Sequence, residues 1–289
     1  MPAALTEPTS RLDPTEVAPG TFVVHEVQHA LGEPLSVFIN SLVIDGEEPL
    51  VVDTGSARNR RAWLEDTFGL VDPARVKWVF ISHEDADHVG NLNEVLRSCP
   101  NATLVCSWAL MERYANAFEF PLERCRWLDD GASFDAGDRR MSLLRPPAYD
   151  APTTRGLLDS ATGVFWASDC FATPVPGGEG AERFPRDVGA LDPDFWAQAM
   201  TLFAIHALSP WLHLVDVDRF AASVMRLSDL PISAIASAHS PVITAEQIND
   251  ALTLLCRIPT AHCPAAPDQS VLDLFLAASS EPSSEASRA

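Results

Sequence analysis

The sequence predicts an α/β sandwich, two β-sheets packed face to face with helices outside, and three observations carry that expectation. The first is element order: antiparallel strands open the chain, and strands then alternate with segments of helical period in two successive blocks. The second is that acidic and imidazole side chains recur where predicted strands end. The third is composition, since 289 residues at 47% hydrophobic suffice for one large domain or two modest ones. No repeat is visible, and no linker divides the chain.

Residues 1–18 form a Pro-rich leader expected to be mobile, without the apolar core of a signal peptide. TFVVHEVQ and SVFINSLVID read as strands, and EEPLVVDTG ends a third in a turn. SARNRRAWLEDTFG is expected to be a helix closed by Gly69, VKWVFISH a buried strand, HVGNLNEVLRSC a helix, ATLVC a strand and SWALMERYANA a helix capped by Ser107. Short strands around CRWL and RRMSLL lead into the hairpin RGLLDSATGVFWASD, whose turn is Ser160 to Gly163. The Gly- and Pro-containing run from Pro174 to Pro185 and the helical DPDFWAQAMTLFAIHAL behind it predict a lid over 174–213. VDRFAASVMRLSD reads as a helix, PISAIASAHSPV as a strand entering a loop, and TAEQINDALTLLCRI as a helix with a capping box of Thr244 and Gln247. One domain over 19–265 is expected, followed by a helix and disordered tail over 266–289.

A formal net charge of −20, with 20 Lys and Arg against 40 Asp and Glu, argues against a grip on nucleic acid. Six cysteines without a CxxC pair predict reduced thiols. No run of about 18 apolar residues occurs, so no membrane partner and a cytoplasmic location are expected.

The stretch SHEDADHVG places His83, Glu84, Asp85, Asp87 and His88 within six consecutive positions. Taken alone it reads equally well as a solvated charged turn or as half of a metal site. However, VKWVFISH delivers His83 at a strand's carboxyl end, where open α/β sheets place ligand groups. Asp53 in VVDTG, Asp169 in ASDCF and His239 in ASAHSP likewise end predicted strands. Carboxylates crowded on a short turn repel one another, and a bound cation relieves that repulsion. Imidazole with carboxylate is a suitable donor set for first-row divalent metals.

This ordered set resembles the metallo-β-lactamase superfamily, whose signature is His-x-His-x-Asp-His after a strand, with an earlier Asp in a strand-end turn. The resemblance spans most of the chain and implies the αββα four-layer sandwich of that fold. The third signature position holds Asp85 instead of His, which looks like the flavodiiron and oxygen-binding diiron branch, where that position is Glu. In that branch another histidine ligand opens a short Pro-containing segment before the bridging Asp. DAPTTR, set against it with the prolines in register, puts Asp150 in the histidine's place. The resemblance thus implies two divalent ions, iron favoured, with manganese or zinc as alternatives. His83, Asp85 and Asp150 would hold one, Asp87, His88 and His239 the other, and Asp169 would lie between them. Four carboxylate charges match two divalent ions, and three imidazoles complete a harder donor set than that of the zinc hydrolases. Asp53 is expected to be a structural hydrogen-bond acceptor outside the ligand set.

Other signals carry competing readings. HEVQH at His25 to His29 matches the zincin pattern, but a strand-like setting denies it the required helix face; His29 remains a candidate pocket residue. Glu84 is expected to face solvent, Cys170 to be a small buried thiol, and His206 and His213 to pack in apolar helices. Asp87, Tyr149 and Arg155 are the catalytic candidates: Tyr149 as a donor to bound oxygen or a packing ring, Arg155 as an orienting cation or one half of a surface ion pair. Three functions follow. The first is a non-haem diiron protein that binds, senses or reduces O₂ or NO. The second is a two-metal hydrolase of an ester, thioester, lactone or phosphodiester, and the third a degenerate scaffold. The chain carries no Rossmann glycine fingerprint and nothing resembling flavodoxin, so no FMN or NAD site is expected. A redox role then needs a separate electron-transfer protein, and the family resemblance makes a homodimer plausible.

Overall fold

The computed structural model describes residues 9–29, 35–115, 122–177, 184–263, 265–266 and 268–280. The opening strands are β1 (Thr9–Ala18), β2 (Thr21–His29), β3 (Leu35–Phe38), β4 (Ser41–Ile44) and β5 (Leu50–Val52), and β5 leads into helix α1 (Arg60–Leu70). Strand β6 (Trp78–Phe80), the short turn α2 (Ala86–Val89), α3 (Leu92–Ser98), β7 (Thr103–Cys106), α4 (Trp108–Tyr114) and β8 (Cys125–Trp127) complete the first half. The second half contains β9 (Ser133–Ala136), β10 (Arg139–Leu144), β11 (Gly156–Asp159), β12 (Val164–Trp166), β13 (Val175–Pro176), α5 (Pro193–Phe203), α6 (Val217–Met225), β14 (Ala234–Ala236), β15 (Ile243–Thr244), α7 (Ile248–Arg257) and α8 (Gln269–Ser280).

These strands form two sheets, ordered β13-β3-β2-β4-β5-β6-β7-β8 with β1 also on β2, and β15-β14-β12-β11-β10-β9. Val23, Leu42, Val52, Phe80, Phe134, Leu157 and Trp166 fill the space between them. Outside the first sheet Trp63, Leu92, Val95 and Leu110 of α1, α3 and α4 pack down; outside the second, Trp196, Met200, Phe220, Val224, Leu252 and Leu255 of α5, α6 and α7 do the same. This is the four-layer αββα sandwich the sequence predicts.

Strands β5, β6, β7 and β8 run parallel, as do β12 and β14 across the sandwich. Parallel pairing aligns carboxyl ends. Val52 lies opposite Phe80 and Trp166 opposite Ala236, so the chain leaves both sheets side by side just before Asp53, His83, Asp169 and His239. Where the first two of these turns meet, Gly90 donates to the Gly55 carbonyl at 3.0 Å. A Cβ on Gly90 would lie 2.5 Å from that oxygen, so the close approach requires glycine.

The leader departs from expectation. Its described part, β1, is a strand antiparallel to β2 in two register shifts, between Leu12 and Thr15 and between Glu16 and Ala18. Pro14 and the shifts break the alternation that would have announced it, while Leu12 is buried against Val27 and Phe38. SVFINSLVID is two strands, broken where Asn40 turns to the second sheet, its amide donating to the Ser237 and Ser240 carbonyls at 2.8 Å each. Helix α1 runs through Gly69 to Leu70. Helix α7 starts after Gln247, whose amide oxygen accepts from Thr244 at the end of β15, so the pair bridges strand and helix instead of forming a box. Ser107 caps α4 as expected, accepting from Leu110 N at 3.2 Å. The predicted lid holds β13, which pairs with β3, and α5, which is packed into the outer layer; residues 178–183 of that stretch lie outside the described residues, as do the tail 281–289 and leader residues 1–8.

Candidate metal centre

All seven predicted ligands converge. Three groupings of donor atoms, each within 4.8 Å of one another, arise: His83, His88 and Asp169; Asp87, His88 and His239; His83, Asp85 and Asp150. Asp169 joins them. Its Oδ2 lies 3.6 Å from His83 Nε2, while its Oδ1 lies 3.0 Å from His88 Nε2 and 3.5 Å from His239 Nε2. Around it, His83 Nε2 stands 3.7 Å from both Asp85 Oδ2 and Asp150 Oδ2, and His239 Nε2 stands 3.4 Å from Asp87 Oδ2.

Each imidazole is fixed by its other nitrogen. His239 Nδ1 donates to the Phe38 carbonyl at 2.7 Å, which leaves Nε2 as the donor atom to a cation. His88 Nδ1 meets Asp53 Oδ2 at 2.9 Å, and His83 Nδ1 lies 3.2 Å from the hydroxyls of both Ser82 and Ser168. Asp53 also accepts from Ser82 N at 2.7 Å, Ser82 Oγ at 2.6 Å and Trp166 Nε1 at 3.0 Å, which is the structural role predicted for it. It adopts φ 54°, and Ser168 beside Asp169 adopts φ 53°. Non-glycine residues accept this region only where surrounding contacts hold them there.

The residues fit a metal pair on their own evidence. His83 Nε2, His88 Nε2 and Asp169 Oδ1 are buried, point at one another and lack hydrogen-bond partners. Without a cation the cluster must hold protons. Although burial opposes charge, Asp169 and its neighbouring carboxylates push His83 up, His88 well up and His239 up to about 9. Asp169 falls well below the carboxylate range despite burial, because His88, His239 and His83 surround it. Burial and the Asp169 charge push Asp150 up. A divalent ion would displace those protons.

Two catalytic candidates are placed elsewhere. The Arg155 guanidinium is buried on Asp129 and on the carbonyls of Pro152 and Thr154, so it braces the loop carrying Asp150. The Tyr149 ring packs on Trp211 at 5.3 Å and beneath Arg145, while its carbonyl accepts from Ser209 and Trp211. Their charge and ring have partners away from the donor cluster. Glu84 does not face solvent; it pairs with Arg113 and Thr153. His206 and His213 are exposed, and Cys170 is buried with its thiol pushed up to about 12. In HEVQH, His25 bonds Asn40 and Thr15 at 2.9 Å each and is pushed down to about 4 by burial, while His29 bonds Ser36 at 2.8 Å.

Sequence reasoning gave Glu26 no role. It is 3% exposed in β2, and neither carboxylate oxygen has a hydrogen-bond partner. Burial first, then the charge of Asp87, raises it from 4.5 to about 7. The acid is therefore easier to keep when neutral. Stability linked to it is complete below the unfolded-state value of 4.5 and is lost as pH rises through about 7. Glu26→Gln, the neutral isostere, is expected to match the parent at pH 4 and exceed it by about 2–3 kcal/mol at pH 8 in metal-free protein. Urea denaturation at both pH values checks this; an equal difference at the two would refute it.

The layers and donor cluster define a metallo-β-lactamase-fold protein with a site built for a pair of cations. The chain belongs to the family described as ODP family beta lactamase, whose model matches residues 38–239. It is 24% identical over 205 residues to the Putative diflavin flavoprotein A 1 of Nostoc sp. (strain PCC 7120), covering 71% of this chain and 33% of that protein. It is 22% identical over 204 residues to the Anaerobic nitric oxide reductase flavorubredoxin of Pectobacterium atrosepticum, covering 70% of this chain and 38% of that one. Among solved structures, rubredoxin oxygen:oxidoreductase from Desulfovibrio gigas superposes with a TM-score of 0.71 at 14% identity, covering 85% of this chain and 61% of its own; this is a likeness of fold. The chain thus spans between a third and two fifths of the length of these two relatives. No helix among the described residues is long and apolar enough to cross a membrane.

Proposed function

We propose that this chain holds two metal ions, iron in preference to manganese or zinc, and binds and reduces O₂ or NO with electrons from a separate electron-transfer partner. The supporting observation is Asp169, one oxygen facing His83 and the other facing His88 and His239, as a carboxylate shared between two ions requires. His83, Asp85 and Asp150 would hold one ion, and Asp87, His88 and His239 the other. Two ferrous ions, when bound, supply electrons to a small diatomic ligand. Asp85, Asp87, Asp150 and Asp169 balance the charge and favour a harder, more oxidised metal over the softer donor preference of zinc. Phe203, its ring 5.3 Å from that of His239, shields the His239 side from water. The names of the relatives support the choice of ligand, one being a nitric oxide reductase and a structural neighbour an oxygen oxidoreductase.

Protein produced with iron and without added zinc is expected to contain two iron atoms per chain. After anaerobic reduction, exposure to O₂ or NO should change its visible absorption. Zinc alone, with no spectral response, would overturn this reading.

A further inference from the structure

Glu84 sits between the signature residues His83 and Asp85, yet its side chain is only 11% exposed. One carboxylate oxygen pairs with the Arg113 guanidinium on α4. The other accepts from the hydroxyl of Thr153, a buried residue on the loop that carries Asp150. On that loop Asp150 Oδ1 accepts from Ala151 N at 2.7 Å and Thr154 Oγ1 at 3.2 Å, while Oδ2 stands 3.7 Å from His83 Nε2. The same loop is tied a second time to the signature strand end, where Arg155 N donates to the Ser82 carbonyl at 2.9 Å.

We infer that Arg113, Glu84 and Thr153 form a positioning relay that holds Asp150 against the His83 half of the site, so that this half binds its metal preorganised. The inference rests on the proposed reading of Asp150 as a ligand and adds to it how this chain keeps that carboxylate in place. A carboxylate on a loop must give up conformational freedom when it coordinates. A loop already fastened beside the ion has lost that freedom in advance, so less affinity is spent on ordering it. Arg113 is half-exposed and anchors the relay to α4; Glu84 carries the connection through the protein to Thr153. No other described side chain joins the signature loop to Thr153.

The test is anaerobic titration of metal-free protein with Co²⁺, followed by its visible bands, which resolves two binding events. Asp150→Asn identifies the event belonging to its half. Thr153→Val and Glu84→Ala should weaken that same event about tenfold, the effect usual for groups that orient a ligand. They should leave the other event unchanged, and Thr153→Ser, which keeps the hydroxyl, should restore parental binding. If Asp150→Asn weakens one event while Thr153→Val and Glu84→Ala weaken neither, or weaken both equally, the relay is overturned and the ligand assignment stands. If Asp150→Asn itself changes nothing, the ligand assignment falls and the relay falls with it.

Discussion

Replacing Asp53 by alanine is expected to cost about 3–5 kcal/mol of unfolding free energy, among the largest effects of any single substitution in this chain. Asp53 is fully buried and gathers Ser82 N, Ser82 Oγ, His88 Nδ1 and Trp166 Nε1. Alanine leaves all four buried groups facing a void. Each stranded donor costs about 1–3 kcal/mol before the surroundings relax. Because the residue sits at φ 54°, alanine also takes on backbone strain that aspartate tolerates better. Asp53→Asn, which keeps one acceptor oxygen, should lose less than half as much. Urea denaturation of metal-free protein gives the numbers, and a loss for alanine under about 1 kcal/mol would show that the strand ends are held by other contacts.

Asp169→Ala should have the other large effect, on charge and on metal. With no carboxylate between the imidazoles, His239 keeps its burial penalty and the repulsion of His88 but loses its strongest attraction. It is expected to fall from about 9 to near its ordinary 6.5, read by proton NMR of the histidines in metal-free protein. Under the proposed function, metal content should fall from two ions per chain to fewer than one. A His239 titration that stays near 9 would mean that Asp87 alone sustains it.

What was legible in the sequence was local. A buried strand that empties into acids and histidines announces itself within a dozen residues, and four such endings located His83 to His88, Asp53, Asp169 and His239. Asp150 came only by setting DAPTTR against a related motif, and its carboxylate does stand beside His83. The remainder depended on partners far along the chain. Strand β1 was taken for a leader because Pro14 and its register shifts hide the period of an edge strand. Glu26 carries no local sign of burial, since its seclusion comes from how β1, β3 and β4 close on β2. Arg155 and Glu84 looked like surface charges, but each finds its counter-charge in another element, Asp129 and Arg113. A charged residue's neighbours in sequence say little about its neighbours in space.

The left-handed conformations at Asp53, Ser168 and Phe171 surround the donor cluster, and none falls on glycine. Each position keeps a side chain that glycine would spare from torsional cost, so sequence drift there meets a conflict. Exchange for glycine would ease the backbone while deleting the Asp53 hub or the Ser168 hydroxyl that steadies His83. A lineage selected only for heat resistance would be drawn toward that exchange, and retention of the strained residues in a descendant would mark continued selection for what the cavity holds.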